Sequence, residues 1–217
     1  MGALLVFLLV AFALAGTARA MTTAKPYTGS TPAEFVAWIG PHAREGHRRH
    51  GIPASVTIAQ AALESAWGTS RLARLASNLF GVKAGSSWRG RVVSAPTREY
   101  LAGEWVTVGG SWAIYPNSDA ARAAGEPAAS LFRVYASPFD SLEDHARVIY
   151  NGRYAAALAV RSSPDAFARA LQGIYATDPA YGDKLVGTMK ARNLYAWDEP
   201  DSAWALDPAI VPPEWRA

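Results

Sequence analysis

Phe35, Trp38 and Ile39 recur at helical spacing, directly after Thr31-Pro32-Ala33-Glu34. That tetrapeptide supplies an N-cap, a proline in the first turn and a capping-box glutamate, so a helix is expected from there to about His50, with Gly51 ending it. Pro53 opens a second helix. Its Val56, Ala59, Leu63 and Trp67 share the face expected to pack inward, Thr57, Gln60 and Glu64 share another, and Gly68 closes it. Residues 69–91 read as a short helix followed by loop. The β-branched and aromatic residues of 92–108 predict a hairpin, and 131–135 a further short strand. Between them, 109–130 is a glycine- and alanine-rich loop with little periodicity. Helices resume at Asp140, where Asp140 and Glu143 are expected to cap, then after Ser163-Pro164, and from Asp178-Pro179 to near Asn193. The pattern predicts an α+β fold, mostly helical, with a small β lobe inserted mid-chain.

The two ends read differently from the middle. Residues 3–16 are apolar and run into Thr17-Ala18-Arg19-Ala20, whose Ala18-x-Ala20 has the small-residue pattern of a signal-peptide cleavage site. The run is short of the roughly 20 residues that span a bilayer. No Lys or Arg precedes it, so an amino-terminal anchor and a true start at Met21 stand as alternatives. The expected organisation is a leader over 1–20, or a mis-called start, a linker over 21–30, one domain over 31–197, and a Pro- and Trp-rich surface tail over 198–217. An exported protein, periplasmic or extracellular, follows from the leader, without stable membrane insertion once it is removed.

Composition narrows the chemistry. Half of the 217 residues are hydrophobic and 18 % are charged, which suits one packed domain and excludes global disorder. The net charge of +3 and the scatter of the basic residues, without interleaved aromatics, argue against nucleic acid. With no cysteine there are no disulfides, thiolate zinc sites or cysteine nucleophiles. His42, His47 and His50 alternate with Arg44, Arg48 and Arg49, but no acidic or further histidine ligand accompanies the His47–His50 pair. They read as a solvated basic helix end that complements the helix dipole. No metal and no cofactor are expected.

Glu64 is the one carboxylate of the second helix, a turn from its end, among alanines and beside Trp67. A carboxyl partly buried against apolar neighbours favours its neutral form, the state a general acid needs near neutral pH. Pattern alone leaves a solvated surface glutamate as the alternative.

Pro53-x6-Gln60-x3-Glu64-Ser65-x-Trp67-Gly68, followed by Asn78-Leu79-Phe80-Gly81-Val82-Lys83, resembles the glucosaminidase domains of glycoside hydrolase family 73. These include the peptidoglycan-cutting domain of the flagellar rod-cap protein and many autolysins. Thr97-Arg98-Glu99-Tyr100 with Gly103 resembles the family's β-lobe hairpin. Phe132 to Ser137, Ser141-x3-His145, Arg153-Tyr154 and Tyr175-Ala176-Thr177-Asp178-Pro179-x-Tyr181 resemble the segments that follow. The match covers residues 31–195 in order.

The resemblance implies a lysozyme-like fold and an endo-β-N-acetylglucosaminidase that cleaves peptidoglycan glycan strands on the reducing side of N-acetylglucosamine. A monomer is expected. It places the catalytic acid at Glu64, a second carboxylate at Glu99, with Glu104 as a rival, and a cleft-floor aromatic at Tyr175. Asn78 and Phe80 would line the cleft, Phe80 with plain core packing as its alternative. The loop after Glu99-Tyr100 is longer than the family's, and its Trp105, Trp112 and Tyr115 would either stack on sugars or pack the loop. A lytic transglycosylase of lysozyme-like fold and a non-catalytic wall-binding module are the rival functions.

Overall fold

A computed structural model of the chain describes residues 27–101, 104–176 and 178–198, and for residues 98–101 and 105 the backbone alone. The expected leader, the start of the linker and residues 199–217 of the tail lie outside the described residues. The first helix, α1 (Pro32–His50), begins as the sequence predicts: the Thr31 side chain accepts from the Glu34 amide, and the Glu34 carboxylate accepts from the Thr31 amide at 2.9 Å. Phe35 and Ile39 are fully buried against α2 (Ala54–Ser65).

Helix α2 runs through the centre of the molecule, and every residue from Ala54 to Ala62 is buried. This corrects the two-faced reading. Leu63, expected inside, is 38 % exposed, because α2 is covered on all sides along its length and opens to solvent only at its carboxy-terminal turn. Pro53 offers α2 no side-chain cap; instead Asp198 accepts from the Ser55 amide at 2.8 Å. Asp198 therefore belongs to the packed unit and not to a surface tail. The 3-10 turn Leu194–Trp197 brings it there, with Leu194 buried and the Trp197 ring lying across Gly40. A Cβ on Gly40 would fall 2.4 Å from that ring, so only glycine permits the approach.

After the short α3 (Arg71–Ala76), the β lobe consists of two sheets where the sequence suggested one hairpin over 92–108. β1 (Val92–Ser94) is the centre of a three-stranded antiparallel sheet, between β4 (Ile114–Tyr115) and β5 (Leu131–Arg133), with Val93 opposite both Ile114 and Phe132. The hairpin proper is β2 (Thr97–Leu101) with β3 (Glu104–Val108), Glu99 opposite Val106. The supposed loop 109–130 holds β4 and α4 (Ser118–Ala123), whose first turn Asn117 caps through the Ala120 amide at 2.9 Å. Glu126 fastens this insertion to the sheet, accepting from the Ser94 hydroxyl at 2.5 Å and the Tyr115 hydroxyl at 3.0 Å. The Ser111 side chain first, and then these two hydroxyls, hold its carboxyl below the usual carboxylate range. A two-residue strand carries too little periodicity to be read from sequence.

The helical half returns with α5 (Pro138–Ile149), α6 (Ala155–Ala159), α7 (Pro164–Ala170) and α8 (Tyr181–Ala191). The cap of α5 is Ser137 with Asp140, three residues ahead of the Asp140–Glu143 pair expected from sequence. Ser137 before a proline meets the same rule as Thr31 before Pro32. One apolar core joins α1, α2, α5, α7 and α8. The mostly helical α+β architecture with a small β lobe is as the sequence predicts.

Candidate active site

The open end of α2 places Glu64 at the surface, beside exposed Leu63 and ahead of buried Ser65. Ser65 ends the helix: its hydroxyl donates to the Ala61 carbonyl at 2.5 Å and accepts from the Gly68 amide at 2.7 Å. The chain then turns through three successive left-handed residues, Ala66, Trp67 and Gly68, at φ of 50°, 57° and 75°. Side chains rarely adopt that region, so Ala66 and Trp67 hold local strain one residue beyond Glu64.

Behind Glu64 stands a chain of hydrogen bonds. Gln60, one turn earlier and fully buried, donates from Nε2 to the Tyr181 hydroxyl at 3.2 Å, and that hydroxyl donates to Glu64 Oε1 at 2.9 Å. Tyr181 is the first residue of α8 and is 5 % exposed. Its ring stacks on Tyr175, centroids 5.8 Å apart and planes 15° apart. The Tyr175 hydroxyl donates to the Phe80 carbonyl at 3.4 Å, a long bond for a hydroxyl donor. Phe80 is buried and stacks on His145 at 3.9 Å, and burial pulls the His145 imidazole down to about 3, leaving it neutral.

Burial raises the Glu64 pKa above the ordinary carboxylate value, while the proton donated by Tyr181 pulls it partly back. The residue nonetheless keeps solvent contact. Gln60 of α2 and Tyr181 of α8 back the carboxyl while its other side stays exposed, so water screens the penalty but does not reverse its direction. Burial, and next the negative charge of Glu64, push both Tyr181 and Tyr175 well above the usual phenol range. Both are therefore hydroxyl donors near neutral pH.

The other expected site residues divide. Tyr175 is half-buried beside the Glu64–Tyr181 pair, while Phe80 lies in the core beneath it. Asn78 is 1 % exposed, and its amide is taken up by the backbone: Nδ2 donates to the Val82 and Arg133 carbonyls and Oδ1 accepts from the Val82 amide, all at 3.0 Å. It fixes the loop that carries Phe80. Trp112, also left-handed at φ 59°, is half-buried and packs against the Val93–Phe132 cluster under the Arg71 guanidinium, 4.5 Å from the ring centre. Tyr115 is tied to Glu126. In the hairpin, Glu99 pairs with Val106 and Tyr100 with Trp105; the side chains of Glu99 and Trp105 are outside the described set. Among the described residues no group of three or more His, Asp or Glu side chains could hold a metal. The basic helix end is instead drawn to carboxylates, His50 to Glu143 at 3.1 Å and Arg49 to Glu143 at 2.9 Å.

Comparison with known proteins places this arrangement. The glucosaminidase family profile, described as mannosyl-glycoprotein endo-beta-N-acetylglucosaminidase, matches residues 40–194. The chain belongs to the glucosaminidase family. It is 31 % identical to the exo-glucosaminidase LytG of Bacillus subtilis, over 89 % of this chain and 65 % of that protein. It is 37 % identical to a probable N-acetylmuramidase of Lactococcus lactis, over 81 % of this chain and 37 % of that protein. The chain thus spans less than two-thirds of the length of either relative. Among solved structures, a peptidoglycan hydrolase mutant from Sphingomonas sp. A1 superposes with a TM-score of 0.56 at 34 % identity, covering 77 % of this chain and 97 % of that one. The glucosaminidase fold here is the lysozyme-like one expected from the resemblance.

Gln60 and Tyr181 carry no assigned role from sequence alone, although both occur in the matched blocks and Gln60 shares a face of α2 with Glu64.

Proposed function

We propose that this glucosaminidase domain is a peptidoglycan hydrolase, an endo-β-N-acetylglucosaminidase with Glu64 as its general acid. The observation that carries the reading is the Gln60–Tyr181–Glu64 chain, which holds a partly desolvated carboxyl at the solvent-open end of an otherwise buried helix. Desolvation favours the protonated form of Glu64, and its exposed side gives a glycosidic oxygen access to it. Protonating that oxygen lets the C–O bond break as the sugar takes on oxocarbenium character.

What completes the reaction distinguishes two routes. In one, Glu99 of the β hairpin is the base for water. In the other, the 2-acetamido group of the substrate attacks, and Tyr175 steadies it by giving up its long bond to the Phe80 carbonyl. The family relationship supports a cell-wall substrate, with action outside the cytoplasm and residues 1–20 as the export leader. Among the described residues no helix is long and apolar enough to cross a membrane.

The test is digestion of purified sacculi by the wild-type chain and by Glu64→Gln, with products read by mass spectrometry. Reducing N-acetylglucosamine ends are expected from the wild type. Glu64→Gln keeps an oxygen for Tyr181 but has no acidic proton, and should lose at least about 10²-fold in rate. Reducing muramic acid ends would reassign the bond, anhydro ends would make the protein a lytic transglycosylase, and binding without products would leave a wall-binding module. A mutant rate within about tenfold of wild type would remove Glu64 from the acid role.

A further inference from the structure

Where α2 ends, the chain turns over a second hollow, formed by different residues from the tyrosine cluster. A groove of about 640 Å³ lies between the segment before α1, α1 itself, α3 and the approach to α5, with Tyr27, Trp38, Gly68, Arg74 and Pro138 on its walls. That volume falls in the range that holds a small ligand or a few peptide residues. Tyr27 and Trp38 form one wall, their rings 4.9 Å apart, and Phe139 extends it 5.6 Å from Trp38. The opposite wall carries Arg74, which is exposed and pairs with no carboxylate among the described residues. Arg71, a turn earlier on α3, is likewise without an acidic partner among them and rests on the Trp112 ring. Glu34 lies near enough to influence Tyr27, but its carboxylate is engaged by the Ser30 and Thr31 amides at 3.0 and 2.9 Å.

Gly68, on its wall, is four residues beyond Glu64 in the chain, so the two lie at most roughly 14 Å apart along the backbone. Peptidoglycan is not only a glycan, since alternate sugars carry a short peptide with free carboxylates. We propose that this groove binds that stem peptide, with Arg74 receiving a peptide carboxylate and Tyr27 and Trp38 flanking the peptide. A guanidinium takes a carboxylate with two parallel hydrogen bonds, and an aromatic wall suits a peptide laid flat along it. An extended pentapeptide reaches roughly 17 Å, far enough to leave a sugar held at Glu64 and enter beside Gly68. The inference rests on the peptidoglycan reading and adds to it a preference for peptide-bearing strands.

Full-length wild type, Arg74→Ala and Arg74→Lys would be compared on two substrates, sacculi with intact stems and the same glycan stripped of peptide by an amidase. In parallel, N-acetylmuramyl-tripeptide would be titrated into each protein and followed by calorimetry. Arg74→Ala is expected to lose about tenfold in kcat/KM on the intact strands and in affinity for the muramyl peptide, the worth of one charged hydrogen-bonding group. On stripped glycan it should stay within about twofold of wild type, and Arg74→Lys should fall between. Equal losses on both substrates, no loss on either, or no saturable binding of the muramyl peptide by the wild type would each overturn the proposal. The last result is also what would follow if residues preceding Tyr27 fill the groove. Should the wild type cut neither substrate, the peptidoglycan reading fails, and the titration alone decides the groove: binding abolished by Arg74→Ala supports it, and any other outcome overturns it.

Discussion

Replacing Tyr181 by phenylalanine separates the support of Glu64 from its chemistry. The ring and its stacking on Tyr175 remain, and two hydrogen bonds disappear together: the 3.2 Å bond from Gln60 Nε2 and the 2.9 Å bond to Glu64 Oε1. Gln60 is fully buried and its Oε1 already lacks a partner among the described residues, so turning the amide over exchanges one unpaired atom for another. An orphaned buried donor costs about 1–3 kcal/mol, and that is the expected loss of stability. For a domain of this size it lowers Tm by about 2–4 °C per kcal/mol. Little is added for the bond to Glu64, because that carboxyl is open to water.

The pH dependence carries the sharper test. Tyr181 donates to the carboxylate, so its hydroxyl opposes the upward push of burial on Glu64. Without it the neutral acid persists to higher pH, and the basic limb of the kcat/KM profile should move upward. Linkage gives the same sign for stability. A carboxyl whose folded pKa is raised stabilises the fold below its unfolded value and loses that contribution as pH rises through the folded one, so the variant's stability should decline over a window extending to higher pH than in wild type. Rates would be followed by reducing-end release across pH, with thermal melts at the same points. A basic limb that stays in place or moves down would refute the claim that this hydroxyl tunes Glu64.

Two further outcomes follow from contacts described above. Removing the Asp198 carboxylate by Asp198→Ala leaves the Ser55 amide at the start of α2 uncapped and should cost about 0.5–2 kcal/mol in denaturant unfolding, whereas an unchanged midpoint would mean that water caps the helix equally well. If Glu99 is the base for water, Glu99→Gln should cut turnover by about 10²-fold or more and wild-type products should show inverted configuration by proton NMR before mutarotation; retention with a mild effect would assign the attack to the acetamido group.

What could be read in advance was whatever depends on residues close together in sequence. Thr31 with Glu34 announces α1, and Ser163-Pro164 announces α7. Readings failed where distant residues decide. Leu63 has the spacing of an inward position, but the elements packed around α2 stop short of its last turn, so the leucine is exposed. β4 exists because two residues pair with β1, and Glu126, more than thirty positions beyond Ser94, keeps them there. No local rule contains that contact.

The site divides along the same line. Glu64 stands out as the one carboxylate of an apolar helix, and its sequence neighbours already suggest a raised pKa. The partner that moderates the shift comes from α8, 117 positions away, and a tyrosine at a helix start has no signature that separates it from a core residue. Tyr175 and Tyr181 lie six positions apart in the same block; the resemblance marks Tyr175, and residue type alone would not separate them. The structure gives each its own place: Tyr181 touches the acid from behind, and Tyr175 stacks on Tyr181 with its hydroxyl directed to the Phe80 carbonyl. A functional acid is therefore easier to recognise from sequence than the group that sets its strength, because the acid is chosen by its own environment along the helix while its regulator is chosen by the fold.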